Sequence, residues 1–226
     1  MCIRDRIESV LSGVLFHGLY LGGVFYSISI GMPTSIAALI VTLQPILTNI
    51  LSGPILNEKV TFKQWIGVLL GFFGATLVLG LDLGSKIPLL GLIATIIALV
   101  SITASTIWQK KLSNNLPLPV SNFYQAVGGC FFHILVVIFF AKPYIAFTKT
   151  FFLAMGHQIL LVSFGAFTIL MFLIKKNSAS KTVSIFFLIP ATSALMAWFF
   201  LEESLTTIDL LGFLITSIGV YIATRD

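Results

Sequence analysis

The chain has 226 residues, 58% hydrophobic and only 9% charged, with a formal net charge of +5. An ordinary soluble domain carries roughly 25% charged residues, so the polar surface here is too small to cover a water-soluble globule. Two cysteines, Cys2 and Cys130, are too few for a disulfide framework and lack metal-ligand spacing, and the basic residues are scattered through loops rather than gathered into a nucleic-acid-binding patch.

Apolar runs follow one another at 9–30, 34–56, 62–81, 88–110, 117–140, 152–174, 181–201 and 207–224. Most reach the roughly 20 residues that cross a hydrocarbon core as a helix. Stretches such as "IATIIALV" and "FFHILVVIFF" are apolar on every side, which excludes the alternating pattern of a membrane barrel. The expected fold is an all-α, polytopic membrane helix bundle with about eight spans.

The first run is longer than a signal-peptide core and no small-residue cleavage pattern closes it; it carries His17 and Tyr20 at i, i+3. The second places Pro45 in its interior, flanked by Gln44 and Thr48, and stops on Glu58 and Lys59. Thr61-x-x-Gln64 then forms a capping-box pattern opening the third run, which holds Gly67, Gly71 and Gly74. The fourth run carries Thr103 and Thr106, and the fifth Tyr124, Gln125 and His133. His157 lies near one end of the sixth. Pro190 interrupts the seventh, Glu203 follows it, and Thr206-x-x-Asp209 repeats the capping pattern ahead of Gly212 and Gly219 in the eighth.

Numbering these helices with the N-terminus in the cytoplasm puts ten basic residues on that side (Arg4, Arg6, Lys59, Lys63, Lys110, Lys111, Lys175, Lys176, Lys181 and Arg225). Three lie outside (Lys86, Lys142 and Lys149). The imbalance follows the positive-inside rule and expects both termini in the cytoplasm.

Displaced by 145 residues, the chain aligns with itself. "LQPILTNILSGPILNEKVTFKQWIGVLLGFFG" (43–74) lies over "LIPATSALMAWFFLEESLTTIDLLGFLITSIG" (188–219) without a gap, pairing Pro45 with Pro190, Glu58 with Glu203, Gly67 with Gly212 and Gly74 with Gly219. Five helices separate equivalent positions, so the two copies cross the membrane in opposite directions, the inverted repeat on which alternating-access carriers are built. The copies are expected at 1–81, holding the last three helices of a five-helix unit, and at 88–226, holding all five. Two helices of the first unit are thus expected to be missing ahead of residue 1.

Two readings stand for Pro45 and Pro190: kinks that pack helices round a cavity, or breaks that free backbone carbonyls towards a solute path. For Glu58 and Glu203, closure of a turn is favoured over ion coupling. Gly67, Gly71 and Gly74, with Gly212 and Gly219, read as small residues that admit close helix approach. A solute site needs polar groups on inward faces, and His17, Tyr20, Gln44, Thr48, Thr103, Thr106, Tyr124 and Gln125 supply them from four helices; singly, each also fits a helix-to-helix hydrogen bond. Among ionisable groups within spans, His133 reads as a packing residue and His157 as interfacial. His17 is the candidate for proton coupling, and an unchanged pH dependence of transport in His17→Gln would dismiss it.

The segment 17–80, "STIWQKK" (105–111) and the Pro190, Glu203, Gly212 segment together resemble the EamA-type members of the drug/metabolite transporter superfamily, over nearly the whole chain. The resemblance implies ten helices in two inverted five-helix repeats, cytoplasmic termini, residence in a bacterial inner membrane and export of small metabolites such as amino acids. The chain departs from it in lacking the first two helices. A small-molecule solute and the lipid bilayer are the partners implied; homo-oligomerisation stays open, and neither a cofactor nor nucleic acid is called for. An enzyme would need a nucleophile and base within reach, yet Ser163 and His157 have no carboxylate in their span. A channel or a non-transporting partner subunit stands as the alternative to a secondary transporter, although a channel would be expected to carry a filter sequence or rows of charge, neither of which occurs. A phosphate-binding loop for ATP drive is also missing.

Overall fold

The structure, a computed structural model, describes residues 3–80, 86–113, 116–140, 144–201 and 204–225. Among the described residues, eight helices are long and apolar enough to cross a membrane: α1 (Ile3–Ser29), α2 (Thr34–Leu56), α3 (Phe62–Leu79), α4 (Leu89–Leu112), α5 (Leu118–Phe140), α6 (Lys149–Lys176), α7 (Ala179–Met196) and α8 (Thr207–Thr224). No strand occurs among them. The fold is the all-α membrane bundle that the composition expects.

Helix ends depart from the apolar runs. α1 begins at Ile3 rather than residue 9, and in its polar first turns Arg4 pairs with Glu8 at 3.4 Å while the Trp108 indole donates to Glu8 at 3.3 Å. Asn57, in the left-handed region at φ 56°, closes α2, with its amide donating to the Gly53 carbonyl at 3.0 Å. Thr61 with Gln64, and Thr206 with Asp209, form complete capping boxes opening α3 and α8.

Two spans are interrupted midway. In α2 the segments Thr34–Val41 and Gln44–Leu56 are separated at 42–43; in α7, Ala179–Ser184 passes through a 3₁₀ turn, Ile185–Phe187, before Leu188 restarts an α-helix. Pro45 therefore occupies the first turn of a new segment, where a missing N–H breaks no helical hydrogen bond. Pro190 is likewise the third residue of its segment.

Small residues set the closest contacts. A Cβ on Gly67 would collide with the Ala223 amide nitrogen, and one on Gly219 would lie 2.7 Å from the Gly67 carbonyl oxygen. Further along the same seam a Cβ on Gly74 would lie 2.7 Å from the Gly212 carbonyl oxygen, and one on Gly212 2.9 Å from that of Gly74. Moved by the 145-residue offset, the pair Gly67 and Gly219 becomes the pair Gly212 and Gly74. α1 and α5 form a second tight pair, where Gly13 meets the Gln125 backbone and Gly128 the Val10 carbonyl.

Both described chain ends lie on one face, here the terminal face, with the turns at 57–61 and 177–178. Lys110 ties α4 to it by donating to the carbonyls of Ile174 (2.8 Å) and Asn177 (2.5 Å) at the end of α6. On the far face Met32 and Pro88 pack against Gly91.

Candidate functional site

A cavity of about 790 Å³ occupies the half of the bundle towards the far face. α1 contributes Phe16, Tyr20, Val24 and Ile28; α2 contributes residues from Thr34 to Pro45; α3 gives Val78 and Leu79, α4 gives Ile102, and α7 gives residues from Phe186 to Ala194. Mid-bundle it ends on Gln44, Pro45, Phe187 and Pro190, and its walls reach Ile28, Thr34, Leu79 and Ala194. Among the described residues lining it there is no Asp, Glu, Lys, Arg or His.

Both helix breaks open onto this floor. Pro45 has no N–H to offer the Val41 carbonyl and Pro190 none for the Phe186 carbonyl, and Val41 and Phe186 both line the cavity. Each break also brings the carboxyl end of one segment and the amino end of the next to mid-bundle, so partial charges of both signs meet there. The polar side chain at the floor is Gln44, whose amide donates to Thr106 Oγ1 at 3.1 Å while that hydroxyl donates to the Ile102 carbonyl at 2.8 Å. Gln44 is thereby held in one orientation. One turn deeper, the Thr48 hydroxyl is buried without a hydrogen-bond partner among the described residues.

The middle of α1, Val14–Leu21, is wound as a π-helix, a form frequent at functional sites. It carries Phe16, His17 and Tyr20. Tyr20 lines the cavity, whereas the His17 ring is not part of the lining: it lies 4.9 Å from the Phe167 ring and 5.0 Å from that of Phe16. His133 Nε2 contacts the His17 carbonyl at 2.9 Å.

The eight polar candidates thus divide. Tyr20 and Gln44 line the cavity, Thr106 supports Gln44, and Thr48 lies beneath it. Thr103 is buried in α4, with its hydroxyl donating to the Leu99 carbonyl at 2.8 Å. Gln125 belongs to a separate polar cluster between α1, α4 and α5: its amide donates to Gln109 Oε1 (2.5 Å) and Ser121 (3.1 Å), and Ser12 meets Ser105 nearby at 3.0 Å. Tyr124 stands beside this cluster under the Arg6 guanidinium. Sequence reading missed Phe16, Thr42, Phe186, Phe187 and Ser193. The 145-residue offset held a signal for one of them, since Ser193 is the counterpart of the candidate Thr48.

Below the cavity, α2 and α7 are joined on the terminal side. The Glu58 carboxylate accepts the backbone N–H of Ala179 at 2.8 Å and of Ser180 at 3.4 Å, and the Ser180 hydroxyl donates to Asn49 Oδ1. Its sequence counterpart Glu203 lies outside the described residues.

Residues 5–80 and 89–225 match the EamA-like transporter family. The chain is 27% identical over 220 residues to the uncharacterized transporter YvbV of Bacillus subtilis (strain 168), covering 92% of this chain and 67% of that one. To a probable amino-acid metabolite efflux pump of Escherichia coli (strain K12) it is 24% identical over 222 residues, 88% of this chain and 70% of the pump. A solved crystal structure of a protein shares the fold with a TM-score of 0.78 at 14% identity, over 97% of this chain and 86% of the other.

Proposed function

This chain belongs to the EamA-like transporter family, and on that premise we propose that it is a secondary exporter of small, net-neutral metabolites of the amino-acid kind, working by alternating access. The observation that carries this reading is a cavity, floored by two broken helices, that no Asp, Glu, Lys, Arg or His lines among the described residues. A solute with net charge meets no counter-charge there and would be costly to desolvate. A zwitterion fits better, because the amino ends of two helical segments offer partial positive charge to a carboxylate, and the carboxyl ends of the preceding segments offer partial negative charge to an ammonium group. The apolar walls of Phe16, Phe186 and Ile102 would take an amphipathic side chain, which keeps drug-like neutral solutes within the class.

The halves that exchange conformations are 1–81 and 88–226, in inverted orientation. Antiparallel glycine contacts between α3 and α8 that map onto one another under the offset support this division. The basic residues favour a cytoplasmic terminal face, which makes the present state outward-open. A cavity that stops mid-bundle, on the fully buried Phe187, favours a carrier over a channel.

Proteoliposomes loaded with radiolabelled neutral, acidic or basic amino acids test the proposal. Saturable efflux of neutral amino acids, with little efflux of glutamate or lysine, is expected. Non-saturating flux would favour a channel, and a protein that carries only charged solutes would refute the net-neutral class.

A further inference from the structure

We infer that Glu58 and Asn49 form a latch that holds the terminal side shut, and that its release is the step that exposes the solute to the other face. The inference rests on the alternating-access reading and names the residues that set the balance between its two states.

Glu58 lies in the turn just past α2, and Ala179 and Ser180 begin α7, so the contact joins the two helices whose breaks floor the cavity. Its helix-start groups are buried, Ala179 0% and Ser180 1% exposed, while Glu58 itself is half-buried. A carboxylate accepting backbone N–H groups at a helix start gains from both hydrogen bonding and the helix dipole. Asn49, nine residues before Glu58 and nearer the cavity, adds a second tie to Ser180.

The 145-residue offset shows what the same positions do at the other end. Ser180 corresponds to Ser35, and Asn49 corresponds to Ala194. Whereas Asn49 and Ser180 are hydrogen-bonded, Ser35 and Ala194 both line the cavity wall. One end of the repeat is therefore closed while its image is open, as two states of one contact require. The chemistry is also unequal: alanine at 194 has no side-chain acceptor for a serine hydroxyl, so closing the far side lacks the hydrogen bond that Asn49 supplies. This inequality biases the resting protein towards the state seen here.

Thiol accessibility tests the latch without any solute. The full chain, with Cys2→Ser and Cys130→Ser, carries one reporter, either Ile28→Cys at the cavity or Ser52→Cys, buried behind the latch. Solubilised protein exposes both faces to a polar maleimide. Glu58→Ala is expected to speed labelling at Ser52→Cys and slow it at Ile28→Cys, changing the ratio of rates by about tenfold, the scale of a lost charge-assisted hydrogen bond. Asn49→Ala moves the ratio the same way by less, and Glu58→Gln, which still accepts one N–H, lies nearer the parent. Ala194→Asn leaves the latch intact, gives Ser35 an acceptor, and also moves the ratio the same way; it decides the matter should Glu58→Ala fail to fold. An unmoved ratio, or a rise at both reporters together, overturns the inference. A moved ratio in a protein that exports nothing would sink the export reading and leave the latch standing.

Discussion

Gly67 and Gly219 meet backbone to backbone across α3 and α8, in the same relation as their offset images Gly212 and Gly74. A methyl group on Gly67 would run into the Ala223 amide and lie 2.6 Å from the Gly219 carbonyl oxygen, so neither helix can absorb it by moving a side chain. Gly67→Ala and Gly219→Ala are each expected to cost about 1–3 kcal/mol, the usual range for overpacking. Gly156→Ala is the control, because nothing lies within 4 Å of an added Cβ there and alanine is the better helix former. Thermal unfolding in detergent, followed by size-exclusion recovery, should separate the first two variants from the third.

Two glutamines that look alike in sequence should behave differently. Gln44→Leu removes the polar group from the cavity floor and is expected to lower kcat/KM for efflux about tenfold, as loss of one hydrogen bond to a charged group would. Gln125→Leu lies in the α1, α4, α5 cluster, so it should reduce thermal stability while leaving efflux per folded molecule near the parent value. Measuring both quantities on both variants distinguishes solute contact from helix attachment.

Pro45→Ala and Pro190→Ala restore an N–H for the Val41 and Phe186 carbonyls respectively. If those carbonyls receive the solute, helix continuity at the floor would withdraw them. Both proteins should fold and reach the membrane, yet efflux should fall at least about tenfold, in keeping with the loss of a hydrogen bond to a charged solute group. Normal efflux from both would reassign the prolines to packing alone.

Lys110 caps the last carbonyls of α6 from a neighbouring helix. Lys110→Gln should weaken that attachment by about 1 kcal/mol and quicken protease cleavage near residues 174–178, whereas Lys110→Arg keeps the charge and should protect it. Limited proteolysis from the terminal face reads the difference.

The eight spans were legible because hydropathy summed over about 20 residues is a property of sequence alone. The prolines, glycines and Glu58 stood out because identity at a fixed offset needs no structure either. Helix ends were less legible: Arg4, Asp5, Arg6 and Glu8 interrupt an apolar count, yet they sit in helix because Glu8 finds both Arg4 and Trp108. The sorting of polar residues into cavity and cluster was not legible at all. It depends on which distant helix each one meets: Gln44 finds Thr106, 62 residues on, and Asn49 finds Ser180, 131 residues on. The distant partners of Glu58 were hidden for the same reason, since they lie 121 and 122 residues away.

The polar cluster of α1, α4 and α5 has a consequence for how the protein is made. Ser12 in α1 gains its partner Ser105 only after a further 93 residues have been synthesised, and Gln109 gains Gln125 after 16 more. Until then their polar groups face lipid or the insertion machinery, where hydrogen bonds are scarce. α1 therefore enters the bilayer without its partners, and its final seat is fixed late, when α5 emerges and brings Gly128 against Val10. A ribosome stalled before α5 should leave α1 still within reach of the insertion machinery, and one stalled beyond it should not.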